Sequence, residues 1–266
     1  MEIIGYIASI LIGVSLGLVG SGGSILTVPV LVYLMNTDPL LATTSSLFIV
    51  GATSLVGGLR AYSKKIVDFK AVTEFGIPSI FSIFITRHYL LPAIPDALII
   101  GNISVSKGVF LMVIFAILML AASFSMIRGK YIESQAGETE KERHNSALPL
   151  ILLGLFVGVV TGLLGAGGGF LIIPSLVLFL KLPMKTAVGT SLLIIAINSL
   201  LGFLFSLKEF EYNWTILLSF TALSIVGLFI GSKLSERITG ASLKKGFGWF
   251  ILIMGIYIII KELFIR

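Results

Sequence analysis

The chain has no cysteine, only two histidines, and a charged fraction of 12% over 266 residues. The missing cysteine removes disulfides, thiolate metal sites and cysteine nucleophiles, and leaves the redox compartment unspecified. The two histidines, His88 and His144, fall at expected loops or segment ends, so no Ser–His–Asp set is available. No histidine or carboxylate cluster has metal-ligand spacing, and no GxxxxGK[ST] loop is present. The expectation is therefore a protein that is not an enzyme and carries no cofactor. Soluble domains carry about a quarter charged residues. At half that charge, 56% hydrophobic residues and a mean hydropathy of +1.08, the chain reads as an integral membrane protein with little mass outside the bilayer. Its apolar runs are continuous rather than alternating, which excludes a transmembrane barrel. The net charge is +6, but Lys and Arg lie in short loops, where they specify topology rather than nucleic-acid binding. No Lys or Arg separates Met1 from the first apolar run, so no cleaved signal peptide is expected.

What the chain has in abundance is apolar segments. They fall at 3–19, 24–35, 40–60, 71–87 and 108–127, and again at 148–164, 169–180, 186–206, 214–232 and 246–262. The second set repeats the first at an offset of 145 residues. "GLVGSGGSILTVPVL" from Gly17 is matched by "GLLGAGGGFLIIPSL" from Gly162, and from Gly13 to Gly57 against Gly158 to Gly202, 18 of 45 positions are identical without a gap. Such self-similarity marks an internal duplication. The expected organisation is an N-terminal transmembrane repeat (1–127), a polar, mixed-charge linker (128–147) and a C-terminal transmembrane repeat (148–266).

The glycine clusters decide whether the repeats are parallel or inverted. If each cluster only kinks a long helix, each half crosses four times and the halves are parallel. If each reverses the chain, each half has five elements and the halves are inverted. With five elements, the loops 60–70, 128–147, 181–185 and 233–245 are inside and hold 14 of the 19 basic residues, as the positive-inside rule requires. The four-crossing alternative strands the Lys233 to Lys245 cluster outside. Segments 24–35 and 169–180, which contain Pro29 and Pro174, are too short to span about 30 Å. The expected fold is therefore an all-α polytopic protein of two inverted repeats, each with about five helical elements including one broken or re-entrant short helix. The linker is then cytoplasmic and both termini are outside the cell membrane.

Irregular backbone at membrane depth must be buried in protein or line a wet cavity. Gly20, Gly22 and Gly23 in the first cluster, and Gly165, Gly167, Gly168 and Gly169 in the second, each precede a short helix whose N-terminus favours an anion. Downstream, "ATTSSLFIV" (42–50) aligns with "AVGTSLLII" (187–195), which pairs Ser45 and Ser46 with Thr190 and Ser191; Thr53 and Ser54 match Asn198 and Ser199. Hydroxyls and amides donate to an oxyanion without fixed charge, which suits a ligand that must also leave. The candidate substrate-binding residues are thus Gly20, Gly22, Gly23, Ser45, Ser46, Gly165, Gly167, Gly168, Gly169, Thr190, Ser191 and Asn198. Gly13 with Gly17, Gly154 with Gly158 and Gly162, and Gly227 with Gly231 have the small-xxx-small spacing of close helix packing. Glu74, four residues past Lys70, reads as interfacial, while Arg60, Arg87 and Lys107 near segment ends are expected to snorkel. Tyr62, Tyr89, Tyr212 and Trp214 fit interfacial belts.

The duplicated glycine–proline motif, each copy followed by a short loop and an Ala-Thr/Val-x-Ser/Thr-Ser helix start, resembles the sulfite exporter TauE/SafE family over nearly the whole chain. One departure is Ser24, where the second copy has Gly169. The resemblance implies export of a small sulfur-containing anion, sulfite or an organosulfonate such as sulfoacetate. The expected partners are a small anionic substrate and the lipid bilayer, with a homodimer as one expected assembly and no nucleic acid. The expected mechanism is alternating access, the two halves rocking about the glycine turns. A small-anion channel, a sodium-coupled carrier and a non-transporting membrane scaffold are the alternatives.

Overall fold

A computed structural model describes residues 2–20, 23–100, 103–128, 147–180, 182–235 and 240–264. These residues form ten helices: α1 Glu2–Val19, α2 Ser24–Tyr33, α3 Pro39–Ser63, α4 Phe69–Ile85, α5 Lys107–Arg128, α6 Ala147–Leu164, α7 Gly169–Phe179, α8 Met184–Phe205, α9 Trp214–Leu234 and α10 Gly240–Phe264. Helix α4 does not end at Ile85. It runs on through a π-helical turn, Thr86–Leu90, and a last short piece, Leu91–Ala93. An antiparallel hairpin follows, β1 Ala97–Ile100 with β2 Ile103–Ser106, pairing Ala97 with Ser106. It departs from an all-α architecture and packs no core of its own.

Local chemistry sets the helix starts. The Asp38 side chain accepts from the Leu40 and Leu41 N–H groups, and Pro39 fits the first turn of α3, where no N–H is needed. Asp68 accepts from the Ala71 N–H at the start of α4, and Asn213 from the Ile216 N–H at the start of α9. These two caps are again 145 positions apart.

Among the described residues, five helices are long and apolar enough to cross a membrane: Pro39–Ser63, Phe69–Ala93, Lys107–Phe124, Met184–Phe205 and Trp214–Leu234. The apolar stretches Ile4–Val19, Ser24–Tyr33 and Leu148–Leu164 are shorter. At 1.5 Å per residue α2 and α7 reach only about 15 Å, half a hydrocarbon core. Large apolar side chains such as Leu11, Phe81, Ile117, Phe156 and Ile253 point outward and stay more than half exposed. In a water-soluble protein such a surface would aggregate; here it is what lipid covers.

The principal packing partners cross from one part of the chain to the other. Helix α1 lies along α9, α4 along α6, α3 on α8, and α5 on α10. One core cluster joins α1, α2, α3, α5, α9 and α10, around Leu16, Ile25, Leu47, Phe115, Phe220 and Ile258, and reaches α6 and α8 through Leu164 and Phe203. The other joins α4, α6, α7 and α8, around Phe75, Val157, Ile172, Leu176 and Ile194. Neither core is built from one sequence half.

Candidate functional site

The second glycine turn connects α6 to α7. Gly165, Gly167 and Gly168 have φ of +68°, +64° and +66°, a left-handed backbone that side chains disfavour. Gly168 caps α7, and Gly169 opens it. A Cβ on Gly165 would run into the backbone carbonyl of Thr43 at the start of α3. A Cβ on Gly167 would lie 2.9 Å from Ser199 Oγ on α8 and 3.2 Å from Val50 on α3, and one on Gly168 would press on Thr161 Oγ1 of α6. Ser199 Oγ and Thr161 Oγ1 are both buried and without a hydrogen-bond partner among the described residues. Two orphaned hydroxyls thus converge on adjacent glycines at the N-terminus of a half-length helix. An unpaired buried hydroxyl costs about 1–3 kcal/mol, which makes these two the candidates for ligand contact at the turn.

The first turn connects α1 to α2. Gly20 has φ +78°, and its Cβ position is occupied by Val188 of α8. Gly23 caps α2 in ordinary helical geometry, against the Ile12 carbonyl. Gly22 lies outside the described residues. The two turns make matching contacts: Gly165 meets Thr43 and Gly20 meets Val188, positions separated by the same 145 residues.

The polar residues of α3 and α8 divide into two groups. These helices run antiparallel, Gly51 against Leu200, Gly58 against Leu193 and Phe48 against Phe203. Thr190 Oγ1 accepts from the Asp68 N–H at 2.9 Å and so anchors the α3–α4 loop, and Ser191 Oγ donates to the Val188 carbonyl in its own helix. Asn198 donates from Nδ2 to Ser79 Oγ on α4 at 2.6 Å, while its Oδ1 has no partner among the described residues. Ser46, Thr53 and Ser54 on α3 are fully buried with orphaned hydroxyls, and Ser45 is buried beside them. The hydroxyls left free to donate among the described residues of this region are therefore those of Ser46, Thr53, Ser54, Thr161 and Ser199, while Asn198 keeps only an unpaired acceptor. Thr190 serves as an acceptor for the α3–α4 loop, and the Ser191 hydroxyl donates within its own helix.

Arg87 does not snorkel. It is 1% exposed, because α4 continues past it through the π-turn. Its Nη1 donates to Thr44 Oγ1 at 2.8 Å and reaches Ser206 Oγ at 3.5 Å. The Ser206 carbonyl in turn accepts from the Tyr212 hydroxyl at 3.0 Å. In the loop before α9, burial pushes the Tyr212 phenol up to about 12; Arg87 pulls it down and Glu209 raises it. The signal for Arg87 was available in the run "YLLPAI" (89–94), where hydropathy stays high after the arginine. For Thr161 it was a lone hydroxyl one turn before a glycine cluster in an apolar helix.

The remaining candidates are structural. Gly13 and Gly17 of α1 abut the Ser224 and Leu228 carbonyls of α9, Gly227 and Gly231 abut Ile10 and Val14 of α1, and Gly154 and Gly158 abut the Phe75 and Ser79 carbonyls of α4. Ser9 and Ser224 fasten the first contact through each other's helix, and Ser82 donates to the Leu155 carbonyl across the last. Glu74 pairs with Lys70 at 3.7 Å, one helical turn apart. Among the described residues no cluster could hold a metal ion.

The profile of the sulfite exporter TauE/SafE family matches residues 6–258. The chain belongs to this family. A "Probable membrane transporter protein" of Xylella fastidiosa (strain Temecula1 / ATCC 700964) is 29% identical over 257 residues, covering 94% of this chain and 91% of that one. The "Probable membrane transporter protein YunE" of Bacillus subtilis (strain 168) is 29% identical over 251 residues, 88% of each chain. A probable membrane transporter protein of Methanocaldococcus jannaschii is 24% identical over 269 residues, covering 96% and 94%. No solved structure matches significantly. This TauE/SafE member is accordingly a multi-pass membrane transporter and not an enzyme.

Proposed function

We propose that the chain is a secondary transporter exporting a small sulfur-containing anion, sulfite or an organosulfonate such as sulfoacetate, across the cytoplasmic membrane. The observation that carries this reading is the pair of orphaned hydroxyls, Thr161 and Ser199, meeting at the second glycine turn where α7 begins. A helix N-terminus with neutral donors attracts an anion and releases it again. Two inverted repeats are part of the proposal. What supports them is the exchange symmetry of the packing, in which swapping counterparts turns the α1–α9 contact into α6–α4 and maps α3–α8 and α5–α10 onto themselves, together with the antiparallel run of the counterparts α3 and α8. Because each core mixes helices from both sequence halves, the bodies that rock in this proposal are composite rather than the two halves themselves. The membrane potential drives an anion outward by about 2.3 kcal/mol per charge per 100 mV, a driving force that export can use without a coupling ion.

The test is flux of sulfite, sulfate and sulfoacetate in proteoliposomes. Saturable flux that Gly167→Leu abolishes is the expected result. Flux unchanged by Gly167→Leu and Ser199→Ala would remove the site, and flux that rises linearly with concentration would mark a channel.

A further inference from the structure

The most deeply buried cation among the described residues is Arg87, and it is only partly used. Nη1 is spent on Thr44 and Ser206. Nε and Nη2, which lie on the other edge of the guanidinium, have no partner among the described residues. No described carboxylate comes within ion-pair distance of it; Glu209, in the loop before α9, acts on it only from farther away. The free edge is the side-on fork of an arginine, two parallel N–H donors that match two oxygens carried on one centre. A charge this deep normally has a partner.

Its position ties it to the second glycine turn. Thr44, which holds Nη1, follows Thr43, whose carbonyl lies against Gly165. Thr86, the residue before Arg87, fills the space in front of Gly162, three residues before that turn. The arginine is thus fixed by the same two helices, α3 and α4, that frame the turn.

We propose that Arg87 is an oxyanion-binding residue of the transport path. It takes two oxygens of a sulfonate, sulfite or carboxylate group through Nε–H and Nη2–H, and so selects oxyanions over spherical anions such as chloride. The inference rests on the transporter reading. It adds the fixed positive charge that the neutral donors at the glycine turn lack. Thr44 and Ser206 orient the guanidinium by holding its other edge, which keeps the fork open.

The test uses the purified full-length protein in detergent, with melting temperature read against methanesulfonate, acetate or chloride at constant ionic strength. The expected result is a saturable rise with methanesulfonate that chloride does not give. In Arg87→Lys, which keeps the charge but loses the fork, the half-saturating concentration rises by about tenfold or more. In Arg87→Met the response disappears while the anion-free melting temperature stays level or rises, since an uncompensated buried charge has been removed. A wild-type response retained in either variant overturns the proposal. So does an Arg87→Met protein that melts far lower without anion and regains the wild-type response, the mark of a structural arginine; if that variant does not fold, Arg87→Lys decides alone. Proteoliposome flux separates the two readings. Flux with no anion response in detergent removes Arg87 as the binding residue and leaves the transporter; no flux and no response remove both.

Discussion

Gly165 and Gly76 show how differently single glycines act in this chain. Gly165 sits at φ +68° with the Thr43 carbonyl where a Cβ would go. Gly165→Ala is expected to cost about 1–2 kcal/mol for the left-handed backbone alone and more for the overlap, lowering the melting temperature in detergent. Gly76, inside α4, has nothing within 4 Å of its Cβ position, so Gly76→Ala is expected to stabilise by about 0.5–1 kcal/mol. Tyr212 gives a pH prediction. Its folded-state pKa lies at about 12 against the ordinary 10.0. The stability this contributes is complete below about 10 and is lost as pH rises through about 12. The melting-temperature gap between wild type and Tyr212→Phe should therefore shrink over that window. At this scale the sequence located the glycine turns but not the division of labour among hydroxyls. Thr190 and Ser191 look identical to Ser45 and Ser46 in the aligned motif, yet Thr190 is taken by the Asp68 N–H, a partner brought in from 122 positions away.

Among the elements, hydrophobic run length and the 145-residue offset located all ten helices to within a few residues, except the start of α10 and the far end of α4. The Arg87 charge suggested a stop that the π-turn carries the helix through. The β1–β2 hairpin was legible in principle: "ALII" and "ISVS" flank Gly101-Asn102, a two-residue turn signal, but a short apolar pair between long apolar helices reads as loop. The glycine spacing on α1 and α9 did identify an interface, because close approach in a membrane needs small residues wherever their partner comes from. Gly13→Leu or Gly231→Leu would drive a side chain into the Ser224 or Val14 carbonyl of the facing helix. Each is expected to destabilise by about 1–3 kcal/mol or more, read as a lost monodisperse peak in size-exclusion chromatography.

For the whole molecule, the sequence pattern carried the number of helical elements but not which helices meet, since partner choice depends on contacts between residues some 200 positions apart. The proposed inverted topology puts Lys64 and Lys208, both exposed, on opposite faces of the membrane. The chain has no cysteine, so Lys64→Cys and Lys208→Cys can be labelled singly; an impermeant maleimide applied to intact cells should react only at position 208. Two co-expressed fragments, split within residues 129–146, should copurify as a functional unit, whereas either alone should be poorly recovered. The α1–α9 pairing also sets the order in which the protein can be completed. Helix α1 leaves the ribosome well before the helix that covers its glycine face, Trp214–Leu234. Until that helix emerges α1 therefore waits with Gly13 and Gly17 uncovered, and the contact closes only after every helix between the two has been made.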